Sequence, residues 1–354
     1  MNKPVVFALS AALLLLAQCG SKNTATDPAP TPAPSLGSLR EAAFPFGAAV
    51  NVSLLRSNAA YRALVVREYR SVTGENAMKF RSLHPDQNTY TWPDADYLMQ
   101  FAQQNNARVH GHTLIWHNSL PSWVTNFQGD STAWENLMKT HIQTVVGHFR
   151  GQVVSWDVVN EAIAEDGTLR PSVWRQHLGP DYIARAFQYA RQADPDAKLF
   201  YNDYGHEYGP TKRTAILNLV TGLKSRGIPI DGIGLQMHTN SNRADANLAT
   251  AITSAAQTGL LVHISELDVA MNPGKTAGLT WTSTLADAQK AKYRLIVQTY
   301  NALPAAQRFG LTTWNVTDAD SWVRADCNCP DWPLPFDDQY QKKPAYDGIV
   351  EALK

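Results

Sequence analysis

Short apolar runs recur along the chain from Phe46 onward, and most are followed by a stretch of helical character. Runs of this length, apolar on both faces, are typical of strands buried in a parallel sheet. We predict eight such strands: Phe46–Asn51, Ser71–Glu75, Arg108–Trp116, Val153–Asn160, Leu199–Asp203, Gly232–Met237, Leu260–Glu266 and Gly310–Val316.

Amphipathic segments separate these runs and predict helices between the strands. The clearest are Trp134–His148, Asp181–Ala193, Thr211–Arg226 and Ala286–Leu303. Eight strands alternating with helices favour a single-domain α/β fold of the (β/α)8, or TIM-barrel, type, which needs roughly 250 residues or more. A doubly wound open sheet is the alternative, but no Gly-x-Gly-x-x-Gly turn follows the first strand.

The first residues indicate an export signal outside this fold. Lys3 precedes an apolar run, Val5–Ala17, that is too short to span a bilayer comfortably. The run ends in Ala17-Gln18-Cys19-Gly20, which resembles a bacterial lipoprotein processing site. We predict a signal peptide over residues 1–18 and lipid attachment at Cys19, on the periplasmic side or the cell surface. An ordinary secretory signal with an incidental cysteine is the alternative.

A linker and a cysteine pair complete the organisation of the chain. Residues 19–38 are rich in Pro, Ala and Thr, which favours an extended spacer, so we assign residues 39–354 to the folded catalytic domain. Cys327 and Cys329 are separated by one residue, and a bridge between them would close a small ring. Two free thiols in a surface loop are the alternative. No Cys-x-x-Cys pair is present, which argues against a structural zinc site.

Charge narrows the choice of partner. Lys plus Arg and Asp plus Glu both number 31, so the formal net charge is zero. A balanced chain gives no electrostatic reason to bind nucleic acid or an anionic membrane surface. A neutral substrate fits better, with the membrane contacted only through the lipid. We expect a monomer that needs no metal or other cofactor.

Polar residues collect where the predicted strands end, and Glu161 and Glu266 are the two that we interpret as a catalytic pair. Glu161 follows an apolar run that ends in Asn160, and Glu266 ends another. In a (β/α)8 barrel, catalytic groups lie at the carboxyl ends of the strands. Two carboxylates facing each other there, one protonated and one ionised, are what glycoside hydrolysis requires.

Neighbouring residues suggest a role for each glutamate. His238 ends the strand before Glu266, and Asp268 follows two residues after it. A His–Asp pair would hold Glu266 ionised, as a nucleophile requires, which leaves Glu161 as the acid. Asn160 is placed to hydrogen-bond the sugar hydroxyl beside the cleaved bond.

Several segments, taken in order from Phe46 to Tyr346, resemble glycoside hydrolase family 10, the endo-β-1,4-xylanases. Trp156-Asp157-Val158-Val159-Asn160-Glu161 resembles the acid/base strand, and Ser265-Glu266-Leu267-Asp268 resembles the nucleophile strand. The resemblance implies hydrolysis of internal bonds of xylan with retention of configuration. Further motifs imply substrate contacts from Glu75, Asn76, Lys79, His112, Trp116, Gln236, His238, Trp314 and Trp322.

Three positions depart from the family pattern. Ser119 stands where Gln is frequent, Met237 where Ser is common, and Asn315 where Gly usually follows the platform tryptophan. These departures touch neither catalytic carboxylate, so we expect them to alter subsite preference at most.

Other interpretations of the same residues stay open. The aromatic cleft would also suit a non-catalytic polysaccharide-binding protein, although binding alone needs no carboxylate pair. His110-Gly111-His112 matches the metal pair of barrel amidohydrolases, but that pair usually lies on the first strand, so we interpret His110 as structural. Trp123 is expected in the core. Asp203 and Tyr204 either line the leaving-group side of the cleft or merely cap a loop.

Overall fold

The computed structural model of the chain describes Met1 and residues 36–354. The predicted signal peptide, Cys19 and nearly all of the predicted linker lie outside the described residues. The described residues before Leu39 contact the domain that follows: the Gly37 amide donates to a carboxylate oxygen of Glu41 at 3.0 Å, and Ser38 is buried. Within the described part of the chain, no helix has the length and apolar character needed to cross a membrane.

Strands form the centre of the domain, and they are buried almost throughout. The structure has β1 (Phe46–Val50), β2 (Ser71–Gly74), β3 (Arg108–Gly111), β4 (Val153–Asn160), β5 (Lys198–Asp203), β6 (Gly232–Leu235), β7 (His238–Asn240), β8 (Leu261–Ala270) and β9 (Arg308–Thr313).

Eight of these strands close into a parallel barrel. The order runs β6-β5-β4-β3-β2-β1-β9-β8, and β6 also pairs with β8, which completes the ring. The short β7 pairs with the outer half of β8, where His238 lies opposite Asp268. Parallel neighbours require a crossover connection between strands, and helices supply it here.

Helices surround this barrel and cover its outer face. They are α1 (Val52–Ser57), α2 (Ala59–Glu68), α3 (Phe80–Leu83), α4 (Pro93–Gln104), α5 (Ser122–Thr125), α6 (Ser131–His148), α7 (Val173–Leu178), α8 (Tyr182–Ala193), α9 (Pro210–Ser225), α10 (Asp245–Gln257), α11 (Ser283–Asn301), α12 (Trp322–Cys327) and α13 (Pro344–Leu353). Short 3₁₀ turns lie at Leu39–Glu41, Ala305–Gln307 and Asp318–Asp320.

Close packing inside the barrel requires glycine at two strand positions. A Cβ on Gly111 would lie 2.2 Å from the ring of Trp156, and one on Gly234 would lie 2.2 Å from Oδ1 of Asn202. Both distances are far shorter than a van der Waals contact. Gly234 therefore leaves room for Asn202 to point into the barrel, and Gly111 leaves room for the buried ring of Trp156 on the neighbouring strand.

The predicted (β/α)8 fold is confirmed, and all eight predicted strands are present. The largest errors in predicted extent concern β3 and β8. β3 ends at Gly111 rather than Trp116, because the chain beyond it pairs irregularly with β4, as in the bridge from Ile115 to Val159. β8 continues past Glu266 to Ala270, because β7, which the sequence did not predict, pairs with this extension.

Candidate active site

A cleft of about 500 Å³ opens at the carboxyl ends of the strands. Most of the site residues predicted from the sequence meet in it: Glu75, Lys79, His112, Trp116, Asn160, Glu161, Gln236, His238, Glu266, Trp314 and Trp322. Asn76 is exposed in an adjoining crevice that it shares with Glu75, and Asp268 lies behind His238. Asn118, Tyr204 and Tyr208 also line the cleft.

Glu266 lies on β8 with its carboxylate almost fully buried. Asn202 Nδ2 donates to Oε1 at 2.7 Å, and His238 Nε2 lies 3.2 Å from Oε2. His112 Nδ1 approaches Oε1 at 4.0 Å. Burial by itself would raise the pKa of Glu266, but the hydrogen bond from His238 and the electrostatic influence of His112 and His238 hold it below its ordinary value. Glu266 is therefore an ionised, desolvated carboxylate.

His238 connects this carboxylate to a second one. Its Nδ1 lies 2.7 Å from Oδ2 of Asp268, on the neighbouring strand. Burial tends to lower the pKa of His238, but the charge and hydrogen bond of Asp268, with a smaller contribution from Glu266, raise it to about 10. His238 is thus a cation at neutral pH, and it both orients Glu266 and stabilises its negative charge.

Glu161 follows β4 in a different environment. Trp116 Nε1 donates to Oε2 at 2.9 Å, and Gln236 Nε2 donates to Oε1 at 3.0 Å. Its backbone is left-handed, with φ of 56°, a conformation that is unfavourable for a residue with a side chain. Two bonds fix it: the Glu161 amide donates to the Asn202 carbonyl, and Arg170 Nε donates to the Glu161 carbonyl, both at 2.9 Å.

A buried amide network joins the two glutamates, and its central residue was not predicted. Asn202 Nδ2 donates to Glu266 and also to Asn160 Oδ1 at 3.0 Å. Gln236 Nε2 donates to Asn160 Oδ1 at 3.2 Å as well as to Glu161. Each carboxylate is therefore positioned relative to the other by side chains that have no freedom to rotate.

Asn202 differs from its neighbour Asp203 in the face of β5 on which it lies, because successive side chains in a strand point to opposite sides. Asp203 faces the helices, where Lys212 Nζ lies 3.2 Å from its Oδ1 and Tyr201 donates to its Oδ2. Burial raises the pKa of Asp203 to about 7, against the opposing charge of Lys212. Of the two interpretations of Asp203, the structure favours the buried structural one.

His112 is held by an acidic partner beneath the cleft. Its Nδ1 lies 2.9 Å from Oδ2 of Asp157, and His110 Nε2 lies 3.0 Å from the same oxygen. Burial opposes ionisation of Asp157, but the two histidines hold its pKa well below its ordinary value. His110 also contacts Ser155 at 2.6 Å and is buried, so it is structural, as interpreted from the sequence. The described residues contain no group of three or more His, Cys, Asp or Glu side chains arranged to hold a metal ion.

One wall of the cleft combines a lysine with two indoles. Lys79 Nζ lies 5.4 Å from the ring centroid of Trp116 and 5.7 Å from that of Trp314, and it donates to Asn76 at 3.0 Å. Burial lowers the pKa of Lys79, and the carboxylates of Glu266, Glu75 and Glu161 oppose that shift. This wall offers a fixed donor between two apolar ring faces, a combination that suits a polyhydroxylated ring.

The opposite wall carries the tyrosines. Tyr204 is held by Arg170, which donates to its hydroxyl at 3.0 Å, and by Lys212 Nζ, 3.2 Å from the ring centroid. Tyr208 is one of the few large apolar side chains exposed within the described residues. Trp123 lies outside the cleft, where its ring packs against Phe80 and His84.

All three departures from the family pattern lie in left-handed backbone. Ser119, Met237 and Asn315 have φ of 53°, 61° and 78°, and none of them lines the cleft. Met237 is buried in the core, and Asn315 is buried beneath Trp322.

Cys327 and Cys329 are joined by a disulfide at the end of α12.

The cleft thus presents an ionised carboxylate beside a cation, and a second carboxylate held by neutral donors. Displacement at an acetal carbon requires two such carboxyl groups, one ionised and one able to donate a proton.

Comparisons with known proteins agree with this geometry. The family model described as glycosyl hydrolase family 10 matches residues 35–352. Endo-1,4-beta-xylanase A of Cellvibrio japonicus is 42% identical over 344 residues, and the match covers 88% of this chain but 55% of that protein. The chain therefore spans about half the length of that relative. Endo-1,4-beta-xylanase B of Thermotoga neapolitana is 36% identical, and the match covers 98% of this chain and 97% of that protein.

A solved structure extends the likeness to three dimensions. Xylanase 10B of Thermotoga petrophila RKU-1, in complex with xylobiose, superposes with a TM-score of 0.84 and 36% sequence identity, covering 89% of this chain and 97% of that one. The family model matches nearly the whole described domain, and the relatives share 36–42% of its residues. The chain belongs to glycosyl hydrolase family 10.

Proposed function

We propose that this protein is an endo-1,4-β-xylanase that hydrolyses internal bonds of xylan with net retention of configuration. The observation that carries the proposal is the pair formed by Glu161 and Glu266, which lie in one cleft, have different hydrogen-bond partners, and are linked through Asn160, Asn202 and Gln236. The relatives named as xylanases support xylan as the substrate.

The first step transfers the sugar to the enzyme. Glu161 donates its proton to the glycosidic oxygen as the bond from that oxygen to the anomeric carbon breaks. The Glu266 carboxylate attacks the same carbon from the opposite side and forms an ester. His238 keeps Glu266 ionised until the attack, and Trp116 and Gln236 fix the Glu161 carboxyl near the leaving oxygen.

The second step reverses these roles. Glu161, now ionised, takes a proton from water, and the resulting hydroxide attacks the anomeric carbon. The ester bond breaks, Glu266 leaves as a carboxylate, and the product has its original configuration because two inversions have occurred. This route predicts a separation of about 5–5.5 Å between the two carboxyl groups.

The test uses an aryl β-xylobioside with Glu266→Ala and Glu161→Ala. We expect Glu266→Ala to lose nearly all activity, because no group remains to form the ester. Glu161→Ala should keep more activity on a substrate with a good leaving group than on xylan, because a good leaving group needs less protonation. Proton NMR of the first product should show the β-anomer. Near-normal activity of Glu266→Ala, or an α-anomer formed first, would refute the mechanism.

The same assay distinguishes the alternatives. A polysaccharide-binding protein would bind xylo-oligosaccharides without releasing the aryl group. A metal-dependent amidohydrolase would lose activity after chelator treatment, whereas the proposed route uses only side chains of the protein. The structure of the Thermotoga petrophila enzyme with xylobiose supports xylo-oligosaccharides as ligands of this cleft.

We further propose that the protein is exported as a lipoprotein, processed before Cys19. The support is the sequence Ala17-Gln18-Cys19-Gly20 after a short apolar run. The wild-type protein should fractionate with membranes, and Cys19→Ala should release it into a soluble fraction. Equal membrane association of both would contradict lipid attachment.

We also propose that the catalytic domain is a monomer. The large apolar side chains exposed within residues 36–354 are Val154, Tyr208 and Trp322, and two of these line the cleft. Isolated residues of this kind form no apolar patch of the size that stable subunit interfaces bury. Light scattering on the domain should give the mass of a single chain.

A further inference from the structure

Trp322 makes a contact that its position in the cleft wall does not require. It is the first residue of α12, and its side chain is 36% exposed, so one side of the indole is open to the cleft. Its Nε1 nevertheless donates to Oδ2 of Asp268 at 2.7 Å. That oxygen is the one that contacts His238 Nδ1, also at 2.7 Å.

The indole thereby closes a chain of contacts that ends on the nucleophile. Trp322 and His238 both donate to one oxygen of Asp268, and His238 Nε2 contacts Glu266 at 3.2 Å. The rings of Trp322 and His238 also pack edge to face, with centroids 4.9 Å apart. Trp322 therefore fixes both the carboxylate that holds His238 and the imidazole ring itself.

Asn315 anchors Trp322 in this position from behind. Its Oδ1 accepts a hydrogen bond from the Trp322 backbone amide at 3.0 Å, and the side chain is fully buried. The backbone of Asn315 is held left-handed, with φ of 78°, while Thr313 Oγ1 donates to its carbonyl at 2.9 Å. A glycine would adopt this backbone without strain but would lack the acceptor.

We propose that Trp322 is a positioning residue for the nucleophile, acting through Asp268 and His238, and that Asn315 sets its place. The proposal rests on the proposed function, since it assigns the ordering of Glu266 in that reaction. Because Trp322 both lines the cleft and contacts Asp268, a sugar bound in the cleft would influence the charge of Glu266 through Asp268 and His238. Sugar stacked on the indole would exclude water from the Trp322–Asp268 bond and strengthen it.

Removal of the indole donor has a predictable sign. Without it, Asp268 keeps one of its two side-chain donors, so its negative charge is less well compensated and its orientation toward His238 is less fixed. His238 is already protonated, so it cannot take up a further proton to offset the stronger negative charge of Asp268. The stronger negative charge and the looser orientation of Asp268 both destabilise the Glu266 carboxylate and therefore raise its pKa.

Other charged groups around this relay stay unchanged by the substitution. Glu266 is influenced by His112 after β3, by Asp157 on β4 and by Lys79 after β2. The charge of Asp268 also acts on Glu207 and Tyr208 after β5, on Tyr293 on α11 and on Asp331 after α12. A shift in the pKa of Glu266 would therefore report on the altered bond rather than on the loss of another charge.

The experiment compares Trp322→Phe with Trp314→Phe in the full-length protein. Trp314 is the matched control because it is an indole in the same cleft whose Nε1 makes no hydrogen bond to the described residues. Carbon-13 NMR of the Glu266 carboxyl is followed against pH, which needs no turnover. The acid limb of kcat/KM on an aryl xylobioside is measured in parallel.

We expect Trp322→Phe to raise the pKa of Glu266, and with it the acid limb, by about 0.5–1 pH unit, and Trp314→Phe to leave both in place. Asn315→Gly should shift the Glu266 pKa and the acid limb in the same direction by a smaller amount while the protein stays folded. This variant therefore tests the proposal even if Trp322→Phe does not fold. An unchanged Glu266 pKa in both Trp322→Phe and Asn315→Gly, or an equal shift in Trp314→Phe, would overturn the proposal. Absence of turnover in the wild type with the NMR shift present would instead count against the proposed function alone.

Discussion

Replacement of Asn202 by alanine tests how the barrel controls the charge of Glu266, the proposed nucleophile. The Asn202 side chain is fully buried and makes three hydrogen bonds. Its Nδ2 donates to Glu266 Oε1 at 2.7 Å and to Asn160 Oδ1 at 3.0 Å, and its Oδ1 accepts from Ser265 Oγ at 2.6 Å. Asn202→Ala removes all three bonds and leaves Glu266 with His238 as its one close donor.

The bond to Glu266 sets the size of the expected effect. A hydrogen bond to a charged group contributes about 1.5–3 kcal/mol, and one pKa unit corresponds to about 1.36 kcal/mol. Because this bond favours the ionised form, its loss should raise the pKa of Glu266 by about 1–2 units. The Glu266 pKa is depressed in the folded protein, so the activity that depends on its ionised form will be lost at a higher pH as the solution is acidified.

The assay is kcat/KM for an aryl xylobioside across the acid range, together with urea unfolding. We expect the acid limb to move upward by about one pH unit or more, and stability to fall by about 2–4 kcal/mol because polar groups are left buried without partners. Ser265→Ala is the control, since it removes a bond to Asn202 but none to Glu266 and should cost stability with a smaller shift of the limb. A folded Asn202→Ala protein with an unmoved acid limb would refute the reasoning.

Three further predictions follow from the same contacts. Gly234→Ala should destabilise the protein by about 1–3 kcal/mol, because the new methyl would displace Asn202, whereas Gly147→Ala on α6, with nothing within 4 Å, should stabilise it by about 0.5–1 kcal/mol; equal urea midpoints would contradict this. His238 gains its pKa of about 10 on folding, so its stabilisation is complete below about pH 6.5 and is lost as the pH rises toward 10. The wild-type free energy of unfolding should therefore fall more steeply with pH over that window than that of Asp268→Asn, and parallel curves would be inconsistent with the ion pair. Trp116→Phe should reduce kcat/KM on xylan about tenfold by removing a donor to Glu161, with a smaller effect on aryl substrates; equal losses on both would indicate a role in binding alone.

The barrel could be predicted because its strands have a distinctive composition. Segments such as Phe46–Val50 are apolar on both faces, since helices cover one side and the barrel interior the other. Their lengths were predictable only where a change in polarity marks the end. The ends of β3 and β8 were predicted wrongly because they depend on pairing with β4 and β7. The residues of one strand do not reveal which residues of another strand they pair with.

The candidate site was accessible from the sequence for a related reason. Glu161 and Glu266 each interrupt an apolar run, and the carboxyl ends of all strands in a parallel barrel meet at one rim. Asn202 was missed because Asp203 beside it has the stronger chemical signal. The face of β5 that points to the cleft is decided by register with β4 and β6, not by the residues of β5 alone.

The sequence by itself determined the barrel, and it indicated the rim of polar residues and the two candidate catalytic carboxylates, because these depend on local patterns and on the order of motifs. Tertiary structure alone decided how the carboxylates differ. Glu266 is ionised because His238 and Asn202, from β7 and β5, donate to it, and Asp268 is compensated because Trp322 reaches it from 54 residues away. A pKa depends on distances and burial, and both are set only when the chain has folded.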